Sequence, residues 1–408
     1  MSDVNPSAVS PAVPPRPPLR EVAAIFTRLG FTAFGGPAAH IAMTRHELVE
    51  RRKWLDDHRF ADLLGLVNLI PGPSSTELAI YLGYLRAGWP GLLLAGACFI
   101  LPAMLIVLAF AWAYVAFGST PAAGWLLYGI KPVVLAIIAQ ALTGLSRTIL
   151  RGPLAVTCAL AVLALYLLGV NVLVLLLGAG LLFAVVSLAQ WRRERVKLAT
   201  SLPVALGSLS SLGRLIPTRL AALAASAGAA IPFSQLTLFL TFLKIGAVLY
   251  GSGYVLLAFL RADLVQNLHW LTDQQLLDAV SIGQFTPGPV FTTATFIGYL
   301  VGGLPGALLA TLAIFLPAFA FVPAIHRLAA LMRRSAWARA ILAGVNAAAL
   351  ALMAGVTFQL AGAALVDPLT WLLALGALAI LLRFKPNSAW LIAAGALAGL
   401  LAHGIGAV

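Results

Sequence analysis

An all-α polytopic membrane protein is expected, made of two homologous halves in inverted topology with broken or re-entrant helices at two Pro-Gly-Pro segments. Three observations lead there. Of 408 residues, 61% are hydrophobic and 10% charged, with a mean hydropathy of +0.99, outside the range of soluble domains. The chain matches itself at an offset of 216 residues. And Pro71-Gly72-Pro73, inside an apolar stretch, returns as Pro287-Gly288-Pro289 inside another.

Residues 1–19 are Pro-rich without an apolar run, which fits a disordered tail and not a cleavable signal. Residues 20–190 form a first transporter repeat, 191–233 a basic linker and 234–408 a second repeat. Apolar runs at 91–117, 125–146 and 340–364 are long enough to cross a ~30 Å hydrocarbon core, which takes roughly 20 helical residues; shorter ones lie at 153–169, 172–190, 369–382 and 389–403. They are continuous and Leu/Ala-rich, without the alternation of a β-barrel. The segments 22–42 and 237–260 are interrupted by glycines. The two Pro-Gly-Pro segments are long enough for two half-helices but short for two crossings.

The repeat is dense. Gly30 matches Gly246, Trp54-Leu55 matches Trp270-Leu271, Asp57 matches Asp273 and Asp62 matches Asp278. One residue is then lost, and Gly83-Tyr84 matches Gly298-Tyr299, Pro90-Gly91 matches Pro305-Gly306, and Gly129 matches Gly344. The loops fix the relative orientation. Loop 118–124 is uncharged and the next holds Arg147 and Arg151, whereas the matched 326–339 holds four arginines and the loop after it only Asp367. Likewise 168–171 is uncharged, but 383–385 holds Arg383 and Lys385. Reversed Lys/Arg bias in matched loops means that the second half is inserted upside down, the inverted-repeat plan of secondary transporters.

The same rule accounts for most of the net charge of +13, because basic residues concentrate in 45–59, 191–219 and 326–339. No nucleic-acid partner is expected; the partners are the lipid bilayer and an anion, and a homodimer is the assembly left open. Cys98 and Cys158 lie in apolar runs and read as small fillers, so no metal or cofactor is expected.

Non-helical backbone survives in a membrane only where protein buries it or it lines water. Each Pro-Gly-Pro thus marks two half-helices meeting at membrane depth, with Pro73 and Pro289 opening the second of each pair. The amides of Ser74, Ser75, Thr76 and Glu77, and of Val290 to Thr293, would face the break, where a helix amino end attracts anions. Hydroxyls of Ser74, Ser75 and Thr76, and of Thr286, Thr292 and Thr293, would add donors; the competing reading is a structural kink. Arg28, Lys131 and Lys244 are the cations inside apolar sequence, and Arg28 matches Lys244. They would suit a dianion, against snorkelling for the matched pair and local pairing near Pro132 for Lys131. Glu77, opposite Thr293 in the other half, is a candidate to take a proton as the anion leaves, or else a partner of Arg28 or Arg86. His40, after Gly35-Gly36-Pro37, is a second proton or gate candidate. N-capping is the expected duty of Asp57, Asp273, Asp62 and Asp278.

FTRLGFTAFGGPAAHI at 26–41, LIPGPSSTELAIYLGY at 69–84, FLKIGAVLYGSGYVL at 242–256 and FTPGPVFTTATFIGYLVGGLPG at 285–306 resemble the chromate ion transporter family in its long, two-domain form. The resemblance implies export of chromate, a sulfate-like dianion, across the bacterial inner membrane, driven by membrane potential or a proton gradient. Gly35, Gly36, Pro37, Pro71, Gly72, Pro73, Pro287, Gly288 and Pro289 fall on the family motifs, while Gly251-Ser252-Gly253 departs from Gly-Gly-Pro. Sulfate or another oxyanion is an alternative substrate. An uncoupled anion channel and a membrane-embedded chromate reductase are alternatives of other classes; the reductase would need ligands for a redox centre.

Overall fold

The apolar runs fold as helices, and glycine and proline positions decide where those helices stop. The computed structural model describes residues 19–118, 120–199, 232–250, 253–384 and 386–404. The expected tail before residue 19, the linker from 200 to 231 with Arg214 and Arg219, and the Gly251-Ser252 pair lie outside the described residues.

The first half opens with two re-entrant hairpins. Helix α1 (Leu19–Thr32) turns at Gly35 and Gly36, whose φ values are 100° and 76°, into α2 (Gly36–Arg45), extended by a π turn to Arg51. Its legs are antiparallel, because Glu21 meets Arg52 at the open end (2.5 Å) and Arg28 meets Glu47 deeper in (3.7 Å). A 14-residue leg reaches roughly 20 Å at 1.5 Å per residue, short of a full crossing. Helix α3 (Asp57–Val67) enters next, stops at the Pro-Gly-Pro, and the start of α4 (Ser74–Phe117) brings the chain back. Arg86 then lies 4.7 Å over the ring of Trp54, so residue 86 has returned to the face where α3 began. The backbone reverses at Gly88 (φ 65°, ψ −146°), a conformation open to glycine, and 89–117 crosses the bilayer. Helices α5 (Pro121–Ile149), α6 (Pro153–Leu167) and α7 (Val172–Ala199) follow.

The second half repeats this plan with α8 (Gln235–Val248), α9 (Leu256–Leu260) with its π turn, α10 (Asp273–Phe285), α11 (Thr293–Arg334), α12 (Ala336–Ala364), α13 (Pro368–Phe384) and α14 (Ser388–Gly404). Lys244–Asp263 (2.6 Å) replaces Arg28–Glu47, and Gly303 (φ 62°, ψ −156°) replaces Gly88. Even the left-handed residue Lys53 (φ 54°) recurs 216 positions on as His269 (φ 57°). Among the described residues, five helical stretches are long and apolar enough to span a membrane: Ser74–Phe117, Pro121–Ile149, Val172–Ala189, Val290–Leu328 and Trp337–Ala364.

The halves are inverted in space. The face where α1 and α3 begin is the near face. His326, late in α11, lies 3.0 Å from Tyr81 beside that face, whereas Asp278, early in α10, accepts a hydrogen bond from Tyr114 at the far end of α4. The hairpins of the second half therefore open on the far face. Exposed Trp89, Trp337 and Trp390 ring the near end of the helices and Trp112 and Trp371 the far end, as membrane-interface belts do. The halves also exchange helices: Gly129 of α5 packs on Gly395 of α14, and the matched Gly344 of α12 packs on Ala179 of α7.

Two local expectations are corrected. Pro73 and Pro289 are caps that precede their helices, which begin at Ser74 and at a short 3-10 turn, Val290–Thr292. Asp56 caps α3, and Thr272 caps α10 in a capping box with Gln275. Asp57 and Asp273 instead hold Arg45 and Arg261, at 2.7 and 2.8 Å, clamping one hairpin to the next in each half.

Candidate functional site

Residues at or beside the hairpin tips of the two halves meet at membrane depth. Gly72 donates its N–H to the Leu249 carbonyl at 2.7 Å, and Gly288 donates to the Ala33 carbonyl at 2.8 Å. Residues 72 and 288 match under the repeat, as do 33 and 249, so the two bonds are related by the pseudo-two-fold. Each Pro-Gly-Pro is thereby stitched to the first hairpin of the other half. Gly72 (φ 138°) has a second constraint, since a Cβ there would run into Glu77 Oε1.

The helix ends at these tips differ in what they leave free. In the first half the amides of Thr76 and Glu77 bond to the Pro73 carbonyl at 2.8 and 3.0 Å; those of Ser74 and Ser75 stay at the break. His40 Nδ1 lies 3.3 Å from Ser75 Oγ. Thr76 Oγ1, His40 Nε2 and both Glu77 carboxyl oxygens are buried without a hydrogen-bond partner. In the second half the hydroxyls of Thr286, Thr292 and Thr293 donate to the carbonyls of Gly283, Pro289 and Val290 at 3.2, 2.7 and 2.8 Å. A hydroxyl has one proton to give, so the expectation of free hydroxyl donors fails in the second half.

The intramembrane cations are all matched by acids. Arg28, with a side chain 60% exposed, sits by Glu47, and Lys244 binds Asp263; Arg51 and Arg52 also reach Glu47. Lys131 meets Asp278 at 3.0 Å and Gln274 at 2.5 Å, not a carbonyl freed by Pro132. Neither Arg28 nor Arg86 is the partner of Glu77. The repeat carried the missed half of this arrangement in plain view, since Glu47 and Asp263 are 216 residues apart. Among the described residues no group of three metal-ligating side chains is assembled.

The model of the family described as "Chromate transporter" matches this chain twice, at residues 20–184 and 236–400. The chain belongs to the chromate transporter family. It is 37% identical over 385 residues to the chromate transport protein of Cupriavidus metallidurans, covering 91% of this chain and 89% of that one. Identity to the chromate transport protein of Pseudomonas aeruginosa is 35% over 361 residues, 87% and 84% of the two chains. A probable chromate transport protein of Synechococcus elongatus is 33% identical over 312 residues, 74% of each chain. No solved structure matches.

Within this transporter the two Pro-Gly-Pro hairpins differ in exposure. On α3 the face formed by Ala61, Asp62, Gly65 and Asn68 is exposed; the matched face of α10, Leu277, Asp278, Ser281 and Gln284, is buried. Helix α10 packs on α5, α12 and α14 besides α11, whereas α3 packs chiefly on α4 and α11. Polar groups at membrane depth face water or protein, not lipid, and among the described residues this α3 face is exposed. A cavity of about 510 Å³ at the near face, lined by Asp56, Asp62, Tyr81 and His326 among others, adjoins that helix. Asp62 and Asp278, expected to be N-caps, lie instead within their helices, and with the matched Asn68 and Gln284 they recur at helical spacing on one face.

Proposed function

We propose that this member of the chromate transporter family is a secondary transporter that exports chromate, or a similar tetrahedral dianion, across the bacterial inner membrane by alternating access between its inverted halves. The observation that carries the reading is the unequal exposure of matched faces on α3 and α10. Two homologous hairpins, one open to its membrane face and one closed, are what an alternating-access protein presents in a single state. Lys and Arg collect at the near face, among them Arg51, Arg52, Arg59, Arg147, Arg151 and Arg383, which makes that face cytoplasmic and this state inward-open.

The anion is held at the tips by helix ends rather than by fixed cations. The amino ends of α2 and α4 each carry roughly half a positive charge, with the Ser74 and Ser75 amides and hydroxyls aimed at the break. A cation already paired with a carboxylate adds little for a dianion, which sets Arg28 and Lys244 behind the tips in importance. Moving a dianion out of a cell that is negative inside is downhill by about 4.6 kcal/mol at 100 mV, twice the ~2.3 for a single charge. Glu77 tunes the site. An ionised carboxylate beside Gly72 repels a dianion and a neutral one does not, so the proton accompanies the loaded state, which then moves one net charge and gains about 2.3 kcal/mol at 100 mV instead of the bare dianion's ~4.6. That order is the reverse of the sequence-based expectation, in which the proton arrives as the anion leaves.

The test is flux of labelled chromate from proteoliposomes under imposed potential and pH gradients, challenged with sulfate, molybdate and phosphate. Saturable efflux that rises with a negative-inside potential is expected, with tetrahedral dianions competing. Non-saturating flux indifferent to both gradients would make the protein a channel.

A further inference from the structure

We infer that Lys131, Asp278 and Tyr114 form the outer gate of the transport path, a lock between the halves that this chain carries on one side only. The inference rests on the alternating-access reading. Lys131 of α5 and Tyr114 of α4 belong to the first half, and Asp278 and Gln274 of α10 to the second. Tyr114 donates to Asp278 Oδ2 at 2.9 Å, Lys131 Nζ lies 3.0 Å from Oδ1, and Lys131 also donates to Gln274 Oε1 at 2.5 Å. Asp278 is 4% exposed. Together these contacts draw α10 onto α4 and α5 between the tips and the far face, over the buried Ser281 and Gln284.

A buried ion pair is a poor source of stability, because desolvation consumes most of its attraction. Placed between helices that must separate, it acts as a switch, since removing either charge leaves the other costly to keep buried. On the opposite side the repeat retains the acid, which lies 3.6 Å from His58 of its own helix, but not the lysine or the tyrosine. Asp62 stands where Asp278 does, but Asn346 replaces Lys131, Ala329 replaces Tyr114 and His58 replaces Gln274. The α3 face thus lacks the means to close in the same way, and the rest state is closed outside and open inside. A dianion leaving the tips competes with the single charge of Asp278 for Lys131, which couples substrate arrival to opening. Lys131 is accordingly a positioning residue of the gate.

The experiment uses the full chain with Cys98→Ala and Cys158→Ala, a single reporter cysteine, and a membrane-impermeant maleimide applied to sealed vesicles of either orientation. With Ser281→Cys on the closed face, labelling from the outside is expected to be slow, and at least tenfold faster in Lys131→Met and in Asp278→Asn. The charge swap Lys131→Asp with Asp278→Lys restores slow labelling. Unchanged rates in both single variants overturn the gate. With Gly65→Cys, whose added side chain meets open space, labelling from the inside is expected throughout; failure there sinks alternating access while leaving the lock itself in place. Should the single variants not fold, Asn346→Lys decides the matter. It places a cation at the position matched to Lys131 and is expected to slow Gly65→Cys labelling tenfold, and no slowing overturns the proposal.

Discussion

The two Pro-Gly-Pro breaks share a sequence and a cross-half hydrogen bond, yet they differ in nearly every side chain that follows. After the second break, Thr292 and Thr293 turn their hydroxyls onto the local backbone, and the stretch from Thr286 to Thr293 is buried. After the first, Thr76 and Glu77 are left without partners beside an exposed Gly35 and Asn68. Buried polar atoms without partners cost about 1–3 kcal/mol each, and a chain keeps such groups where they do chemistry. Duplication has supplied a symmetric scaffold, and divergence has made one break a structural wedge and the other a reactive site.

The sharpest way to break that comparison is to give both glycines a methyl group. A left-handed backbone at a non-glycine costs about 1–2 kcal/mol. At Gly288 the added Cβ would meet the Cβ of Ala103, fixed to a helix, with the Gly30 carbonyl 3.2 Å away. Overpacking of that kind adds about 1–3 kcal/mol. At Gly72 the obstacle is the far end of the flexible Glu77 side chain, not a Cβ fixed to a helix. Gly288→Ala is expected to be lost from membranes, whereas Gly72→Ala survives size exclusion in detergent but transports at under a tenth of the parent rate. Equal loss of folded protein in both would erase the distinction between wedge and site.

Next in size is the exchange that makes the first break resemble the second, Glu77→Thr. It removes a fully buried carboxyl without partners, so thermal unfolding in detergent should shift upward, corresponding to about 1–3 kcal/mol. Chromate flux should persist under a membrane potential and lose its response to pH. A lower melting temperature would mean that Glu77 is a structural group with a partner, and the reactive-site reading would fall.

Much of this fold was legible in the sequence, because a hydrophobic run long enough to cross a bilayer has few alternatives and an internal repeat reports its own symmetry. Inversion was legible from Arg147 and Arg151 against Asp367, since loop charge is read by the membrane independently of packing. What sequence left open was pairing. Arg28 and Lys244 read as unpaired cations because their acids, Glu47 and Asp263, lie 19 residues on, on the returning leg of a hairpin whose existence was itself uncertain. The state of the molecule was not legible at all. Asp62 and Asp278 are equivalent letters, and only packing shows one exposed and the other closed against Lys131.

The smallest effect concerns the clamps that join the hairpins, Arg45–Asp57 and Arg261–Asp273. At the near face, Arg45 and Asp57 are both well exposed, and Arg45 is shared with Glu50. Hydrogen bonds from His46 and Arg45 hold the Glu50 carboxyl below the usual carboxylate range. In the second half Arg261 is 12% exposed, makes two bonds to Asp273 and donates to Gln359 Oε1, which also accepts from Tyr166. Exposed pairs are screened by salt and contribute little; enclosed ones leave a costly orphan when one partner is lost. Asp57→Asn should leave the melting temperature unmoved at any salt concentration, while Asp273→Asn should cost about 1–2 kcal/mol, less than the roughly 3–5 of a fully buried pair, with little dependence on salt. If Asp57→Asn is the more damaging of the two, α3 is held in place more firmly than its exposed face implies, and the near face is not the open one.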